Sequence, residues 1–163
     1  MARGGTVTVR QAVAADVGEI LRMIVALATY EHEPDAVRAT EGSLSELMFG
    51  AEPKVFAHIA EYDGRPVGLA LWFLNFSTWT GRHGIYLEDL FVDASARRRG
   101  VAQALFAELA REAGRRGCAR IDWAVLDWNT AAMDFYKSLG AARSAGWQPW
   151  RLEGKALARL AGT

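Results

Sequence analysis

The chain has 163 residues, of which 51% are hydrophobic and 23% charged, so it is long enough to bury the core of one compact domain. Its 19 basic residues balance its 19 acidic ones, and the zero formal net charge argues against nucleic-acid binding through a general positive field. The single cysteine, Cys118, excludes an intrachain disulfide framework and is typical of a reducing compartment. Because no apolar stretch approaches the ~20 residues that cross a bilayer and the start lacks a signal sequence, we expect a soluble, cytoplasmic protein.

Hydrophobic periodicity predicts one strand and two helices in the first third of the chain. Alternation over residues 6–12 predicts the strand, and Asp16 stands at the N-cap position of a helix that should end near residues 30–34. Thr40 should cap a second, short helix that ends at Phe49. Its inward-facing residues should be Leu44, Leu47 and Met48.

Three further strands follow. Residues 54–62 and 66–76 are predicted as two strands joined by the turn Asp63–Gly64. A loop over residues 78–83 leads into a third strand, residues 84–92. A helix should then run from Val101 to near Gly117. Its apolar face comprises Val101, Ala102, Leu105, Phe106, Leu109 and Ala110.

The last third is predicted to alternate between strands and helices. Residues 120–126 should form a strand, Asn129 should cap a helix to Leu139, and Gly140 should end it. One or two short strands over residues 141–152 and a helical turn or two over 155–161 complete the chain. The resulting order, β-α-α-β-β-β-α-β-α-β, predicts an α/β (α+β) fold with a mixed sheet and helices on both faces, in a single domain spanning residues 1–163.

A basic turn, residues 97–99, lies between the strand at 84–92 and the helix at Val101. A helix that opens after such a turn leaves its first backbone N–H groups free, and these bind phosphate well together with the positive end of the helix dipole. Gly100 lets a ligand approach the main chain, and Ala102 keeps the first turn open. The sequence therefore predicts binding of a phosphate-bearing cofactor. The alternative is an ordinary solvated turn.

The motif Arg97–Arg98–Arg99–Gly100–Val101–Ala102 resembles the basic-x-x-G-x-small signature for acyl-CoA in the GCN5-related N-acetyltransferases, or GNAT enzymes. Asn129 with Phe135–Tyr136 resembles the second motif of that family. Further segments resemble the diamine and polyamine (spermidine/spermine) acetyltransferase branch across nearly the whole chain. These segments are YLEDLFV, W-N followed by F-Y-K and L-G-A, the late W-R-L, LATYE and Trp79–Thr80–Gly81.

The resemblance implies a GNAT-like, mostly antiparallel sheet and an enzyme that moves acetyl from acetyl-CoA to a primary amine of a small molecule. The acceptor would be a diamine, a polyamine or an amino-acid side-chain amine. It also implies a homodimer. From the charge balance and the hydropathy we expect no nucleic-acid or membrane partner, and no metal is expected because His32, His58 and His83 lack metal-ligand spacing. Two alternatives stay open: a protein or peptide acetyltransferase acting on N-termini or lysines, and a catalytically silent acetyl-CoA-binding module.

Glu88 and Asp89 lie inside an apolar strand, where a carboxylate is costly to bury unless something pairs with it. Because side chains alternate along a strand, one should face the cleft and the other the opposite side. The resemblance implies that Glu88 contacts the substrate. An alkyl amine, with a pKa of ~10.4, arrives protonated, and a carboxylate can attract it and accept its proton directly or through water. Alternatively, both carboxylates form salt bridges or bind backbone amides.

Tyr136 is the second chemical candidate. The resemblance implies that it protonates the departing CoA sulfur, while backbone N–H groups near Phe91 and Val92 stabilise the oxyanion. On sequence alone, a tyrosine on the apolar face of a helix is more often a core residue with a satisfied hydroxyl.

The resemblance further implies a cofactor site made of strand, turn and helix residues. They are Leu90, Phe91, Val92, Arg98, Arg99, Gly100, Val101, Ala102, Gln103, Asn129, Thr130, Ala131 and Ala132. The implied acceptor residues are Tyr30, Glu31, Glu88, Asp122, Trp123, Ala124, Gln148 and Trp150. Ser77 and Gln148 stand where the polyamine branch has acids, which argues against long polyamines such as spermine. Asn129 could instead be only a helix cap, and residues 31–35 only a solvated acidic loop.

Overall fold

The computed structural model describes residues 5–162, which form two compact units, residues 5–124 and 125–162. Within these residues, the first unit holds a five-stranded sheet and three α-helices, and the second holds two α-helices. No helix among the described residues is long and apolar enough to cross a membrane.

The sheet of the first unit is mixed and mostly antiparallel, as the sequence predicts. Its strands, in spatial order, are β1 (Val7–Gln11), β2 (Phe56–Tyr62), β3 (Arg65–Ser77), β4 (Arg82–Val92) and β5 (Ile121–Asp122). β1 to β4 pair antiparallel, and β5 pairs parallel to β4. The turn Asp63–Gly64 joins β2 to β3, and both residues adopt positive φ angles, 51° and 75°, that a tight hairpin turn requires.

The helices of the first unit are α1 (Val17–Tyr30), α2 (Glu41–Phe49) and α3 (Val101–Arg115). The second unit contains α4 (Thr130–Ser138) and α5 (Gly154–Ala161). Thr40 caps α2, since its Oγ1 accepts the backbone N–H of Ser43 at 3.1 Å. Asn129 caps α4 in the same way, with the N–H of Ala132 at 3.2 Å. Both caps confirm the sequence prediction.

Helices cover both faces of the sheet, because alternate residues of the central strands bury against different helices. Apolar residues of α1 and α2 pack with Leu69, Leu71 and Phe91 in one core cluster. On the other face, a Cβ added to Gly68 would lie only 2.9 Å from Val101 Cγ1 at the start of α3. Glycine at position 68 therefore lets the first turn of α3 lie directly on the sheet. The predicted fold class is confirmed.

The predicted strand over residues 120–126 was too long, because β5 comprises only Ile121 and Asp122. Leu126 already accepts the N–H of Asn129 at 2.9 Å, so the chain there is in the turn that leads into α4. The strands predicted within residues 141–152 were wrong as well. No strand forms there; Gly146 has a φ of 83°, and Pro149 lacks the N–H that a ladder needs.

Three side chains also differ from the expectation. Asp16 precedes α1 but makes no cap hydrogen bond to it. Its carboxylate instead accepts bonds from the Val13 N–H at 2.8 Å and from Arg10 at 2.7 and 2.9 Å, and it is thereby tied to β1. Leu47 of α2 and Ala110 of α3 were predicted to face inward, but both are exposed, because they lie at the edge of the buried stripe of their helices.

Candidate active site

An opening in the sheet lies between β4 and β5. The two strands pair only at Ile85 with Ile121 and at Tyr86 with Asp122. Among the described residues, no strand pairs with residues 87–92 of β4 on the side of β5. A strand edge of this kind presents backbone N–H and C=O groups that an extended ligand can pair with. Three of the predicted cofactor residues, Leu90, Phe91 and Val92, lie along this edge.

A β-bulge in β4 lies at Glu88. Asp89 pairs with Leu71 of β3, whereas Leu87 pairs with the next residue, Trp72, so Glu88 is an extra residue with no partner in β3. Leu87 therefore shares a sheet face with Trp72, and Asp89 shares the opposite face with Leu71. The regular alternation expected for Glu88 and Asp89 does not hold here, because the bulge lies between Leu87 and Asp89. Glu88 is exposed, as a substrate contact requires.

Three carboxylates near this bulge, those of Glu31, Glu88 and Asp89, influence one another electrostatically. Burial, followed by the negative charges of Glu88 and Glu31, raises the pKa of the Asp89 carboxyl to about 6. Glu31 directly follows α1, and burial raises its pKa above the usual range. No hydrogen bond or ion pair reaches Asp89 from any described residue. The three acids therefore form a negative site without a protein cation, which suits a cationic ligand.

Tyr86 extends this site toward β5. Its ring packs against Phe73, with ring centroids 5.1 Å apart. Burial, with the charges of Glu88 and Asp122, raises the pKa of the Tyr86 phenol above its usual range. The hydroxyl therefore stays protonated beside the acids and is available as a hydrogen-bond donor.

The predicted phosphate site lies at the start of α3. Gly100 precedes the helix with a φ of 81°, and a Cβ placed there would meet no atom within 4 Å. No side chain caps α3, so the first backbone N–H groups of this helix have no side-chain acceptor. Residues 97–100, which we call the phosphate loop, therefore leave an open, uncapped helix terminus that fits the diphosphate of acetyl-CoA.

Two of the three loop arginines are held by aromatic rings of the first unit. Arg97 lies over the Tyr30 ring at 5.0 Å, and its Nε donates to the Val92 carbonyl at 3.3 Å. Arg99 lies over the Tyr62 ring at 4.7 Å and donates to the Tyr62 hydroxyl at 2.8 Å. Arg98, which has a φ of 61°, is exposed and makes no ion pair or hydrogen bond with residues 5–162. Arg98 is thus the loop arginine whose side chain is not held by a hydrogen bond or ion pair within the described residues.

The predicted acceptor residues of β5 already have partners. Asp122 accepts hydrogen bonds from Arg120 Nε at 2.7 Å and from Asn75 Nδ2 at 3.2 Å, so its carboxylate is already held by two side chains of the first unit. Trp123 packs edge-on against the Phe106 ring of α3, with centroids 5.1 Å apart. The residue after it, Ala124, ends the first unit and is exposed.

The remaining predicted residues belong to the second unit. Thr130, Ala131 and Ala132 form the first turn of α4, and Tyr136 is half-buried on the same helix, its ring 5.7 Å from that of Phe135. Gln148 and Trp150 lie in a stretch without helix or strand, and Trp150 is 90% exposed. Within its own unit, Trp150 is therefore not part of a packed wall.

Comparison with known proteins identifies the chain. A family model described as the acetyltransferase (GNAT) family matches residues 13–141. The chain belongs to the GNAT acetyltransferase family. It is an acetyltransferase, and enzymes of this family use acetyl-CoA. The open strand edge and the uncapped start of α3 in this GNAT chain fit that co-substrate.

Two relatives and one solved structure illustrate the similarity. The thialysine N-epsilon-acetyltransferase of Sus scrofa is 40% identical over 168 residues, which cover 96% of this chain and 98% of the relative. The spermidine/spermine N(1)-acetyltransferase-like protein 1 of Homo sapiens is 31% identical over 151 residues, 88% of this chain and 22% of that protein. An integron cassette protein from V. cholerae matches in structure with a TM-score of 0.80 and 27% identity, covering 96% and 98% of the two chains.

The sequence did not predict the contacts or the face of the sheet that the structure gives to Asp89, Tyr86, Arg97 and Tyr62. A bulge has no signature in the hydrophobic alternation, so Asp89 could not be assigned to the α1 face. Arg97 and Tyr62 gain their roles from contacts with Tyr30 and the phosphate loop, which only the fold brings about. The one available signal was the presence of two adjacent acids inside an apolar strand.

Proposed function

We propose that this enzyme transfers the acetyl group of acetyl-CoA to the primary amine of a small molecule, preferably an amino acid with a side-chain amine or a short diamine. The observation that carries the proposal is the group of acids around the β4 bulge, Glu31, Glu88 and Asp89, beside an open strand edge. An ammonium group is attracted to such a site because no described cation neutralises Asp89. The similarity to a thialysine N-epsilon-acetyltransferase supports an acceptor nitrogen at the end of a side chain.

Ser77 favours a smaller acceptor over a long polyamine. It ends β3 with a neutral side chain, where the polyamine branch has an acid that meets a distant ammonium group. The acids that remain are close together near α1 and β4, so they suit one cationic centre better than several widely spaced ones. Glu31 and Tyr30 would contact the acceptor from the end of α1.

The proposed mechanism is direct attack by the amine. When bound, acetyl-CoA supplies an activated acetyl thioester. Glu88 accepts a proton from the ammonium form, directly or through water, and the free nitrogen then attacks the carbonyl carbon. The C–N bond forms first and gives a tetrahedral oxyanion. The C–S bond then breaks as Tyr136 donates its phenolic proton to the departing sulfur, and the second proton lost by the nitrogen passes through water to restore the Tyr136 phenol. Backbone N–H groups near Phe91 and Val92 donate to the carbonyl oxygen.

The cofactor would bind along β4 and at the start of α3. Leu90, Phe91 and Val92 would pair with the pantetheine arm, and residues 98–103 would surround the diphosphate. Residues 129–132 of the second unit are the further cofactor residues that the family resemblance implies. The family match over residues 13–141 spans both units, which supports our proposal that residues 1–163 act as a single N-acetyltransferase domain. The cytoplasmic location, the homodimer and the absence of a metal stay predictions.

The test is acetyl-CoA turnover, followed by thiol release, across thialysine and lysine analogues, short diamines, polyamines and short peptides. We expect the amino-acid amines and short diamines to give the highest kcat/KM. A clear preference for peptides would replace the proposal by a protein acetyltransferase. Tight CoA binding without turnover of any amine would indicate a silent binding module.

Two variants test the assigned roles. Tyr136→Phe should lower kcat while the Kd for CoA stays nearly unchanged, because its proton is needed only in the transition state. Glu88→Gln should raise the KM for the amine and move the pH profile of kcat/KM. The matched control is Glu46→Gln, an exposed carboxylate on α2. Equal kinetics in Glu88→Gln and Glu46→Gln would return Glu88 to a structural role, and full turnover by Tyr136→Phe would remove Tyr136 from the mechanism.

A further inference from the structure

Helix α1 contacts the segment that follows β4 at two separate points, one in its first half and one at its last residue. Arg22 of α1 forms a bidentate pair with Asp93, with Nη1–Oδ1 and Nη2–Oδ2 distances of 3.2 and 3.1 Å. Two turns further along the helix, Tyr30 lies under the guanidinium of Arg97 at 5.0 Å. Both contacts join the helix that carries proposed acceptor residues to the segment that leads into the phosphate loop.

Arg97 is the side chain that reaches both sides. Its Nε donates to the Val92 carbonyl, the last residue of the proposed pantetheine edge, at 3.3 Å. Its guanidinium covers the ring of Tyr30, the last residue of α1. Glu31, which follows Tyr30, influences the charge of Asp89. One arginine therefore connects the cofactor edge, the phosphate loop and the acceptor side of the first unit.

Such a connection has an energetic consequence. If the phosphate loop is ordered by a bound diphosphate, the position of Arg97 is fixed, and the Tyr30 ring that packs beneath it is fixed as well. Where the Arg97–Tyr30 contact is stronger in the CoA-bound protein than in the free one, linkage makes the effect reciprocal, and we then expect a change at Tyr30 to alter the affinity of the loop for CoA. Cation–π contacts at exposed sites are strong enough to change an affinity by about threefold.

We propose that Arg97 is a positioning residue that couples cofactor binding to acceptor binding through its contact with Tyr30, a coupling that rests on the proposed function. Arg97 touches neither reacting group; it acts by holding Tyr30 at the acceptor side once the phosphate loop is occupied. The acceptor amine therefore binds more tightly to the enzyme that already holds acetyl-CoA.

The first experiment is a double-mutant cycle on the KM for the amine at saturating acetyl-CoA, with Arg97→Met, Tyr30→Leu and the double variant. Arg97→Met should raise the amine KM about threefold with kcat nearly unchanged. In the Tyr30→Leu background the same substitution should have no further effect. Arg98→Met, which removes a loop charge without touching Tyr30, should raise the KM for acetyl-CoA alone.

The second experiment measures the Kd for CoA by calorimetry with no amine present. Tyr30→Leu should weaken CoA binding about threefold, whereas Tyr30→Phe, which keeps the ring, should bind as the parent does. If Arg97→Met does not fold, the comparison of Tyr30→Leu with Tyr30→Phe still tests the coupling. Two results would overturn the coupling: equal CoA affinity in Tyr30→Leu and the parent, or an undiminished effect of Arg97→Met in the Tyr30→Leu background. If the parent still turned over the amine, the proposed function would remain intact. If the parent protein acetylated no amine, both the coupling and the proposed function would be refuted.

Discussion

Replacing Asp89 by asparagine should stabilise the protein at neutral pH. Burial and the neighbouring acids raise the pKa of this carboxyl from 3.8 to about 6 in the folded protein. Below pH 3.8 the carboxyl is protonated in both the folded and the unfolded chain, and it imposes no cost. As the pH rises toward 6, the unfolded chain releases the proton first, so the free energy of unfolding falls and reaches its full loss above pH 6.

The size of this loss follows from the pKa. A rise from 3.8 to about 6 corresponds to about 3 kcal/mol of lost folding stability once Asp89 is ionised. Asp89→Asn removes the charge and nearly keeps the shape of the side chain. It should therefore raise the free energy of unfolding by up to about 3 kcal/mol near pH 7.5 and change it little near pH 4.

The assay is urea unfolding followed by tryptophan fluorescence, for the parent, Asp89→Asn and the control Glu46→Gln at both pH values. Glu46 is exposed on α2, and its substitution should have a small effect that is the same at either pH. Two results would refute the prediction that the ionised Asp89 carboxylate destabilises the folded protein. One is a stability change in Asp89→Asn that is equal at the two pH values, and the other is a loss of stability near pH 7.5. The stabilised variant should also show a lower kcat/KM for the amine, because the acid then no longer attracts it.

Two further predictions concern glycines near the cofactor site. Gly68→Ala should lower the free energy of unfolding by about 1–3 kcal/mol, because the new Cβ would lie 2.9 Å from Val101 Cγ1. The control is Gly114→Ala in α3, where a Cβ meets nothing within 4 Å, and it should be neutral or stabilising in the same urea assay. Equal stability of the two variants would contradict the close packing of α3 on the sheet. Gly100→Glu should abolish CoA binding in a calorimetric titration by adding a carboxylate beside the diphosphate, and Gly64→Glu, which has a similar φ of 75° in the β2–β3 turn, should retain it. Tight CoA binding by Gly100→Glu would contradict the assignment of the loop.

Local signals in the sequence were sufficient for the helices and their ends. Thr40 and Asn129 cap α2 and α4 as predicted, because capping depends only on residues within one turn. The strands of the central meander were predicted for a similar reason, since alternation and the Asp63–Gly64 turn are both local. The cofactor loop stays a prediction from its motif, to which the structure adds that Gly100 is open.

Features that depend on contacts between distant residues could not be predicted in this way. The bulge at Glu88 exists because β3 and β4 pair on both sides of it with different registers, which a single strand sequence does not contain. The contact of Arg99 with Tyr62 joins residues 37 positions apart. The strand predicted over residues 120–126 was too long because the turn into α4 begins within a stretch that is rich in β-forming residues.

Glu88 has no partner in β3, so the pairing of the sheet does not depend on the residue that we propose as the proton acceptor. On either side of the bulge, Leu87 pairs with Trp72 and Asp89 pairs with Leu71, so their partners are consecutive residues of β3. Deleting Glu88 would join them into an unbroken ladder, and no other side chain would change the face on which it lies. A one-codon deletion would thus remove the acid that we propose as the proton acceptor and leave the core intact.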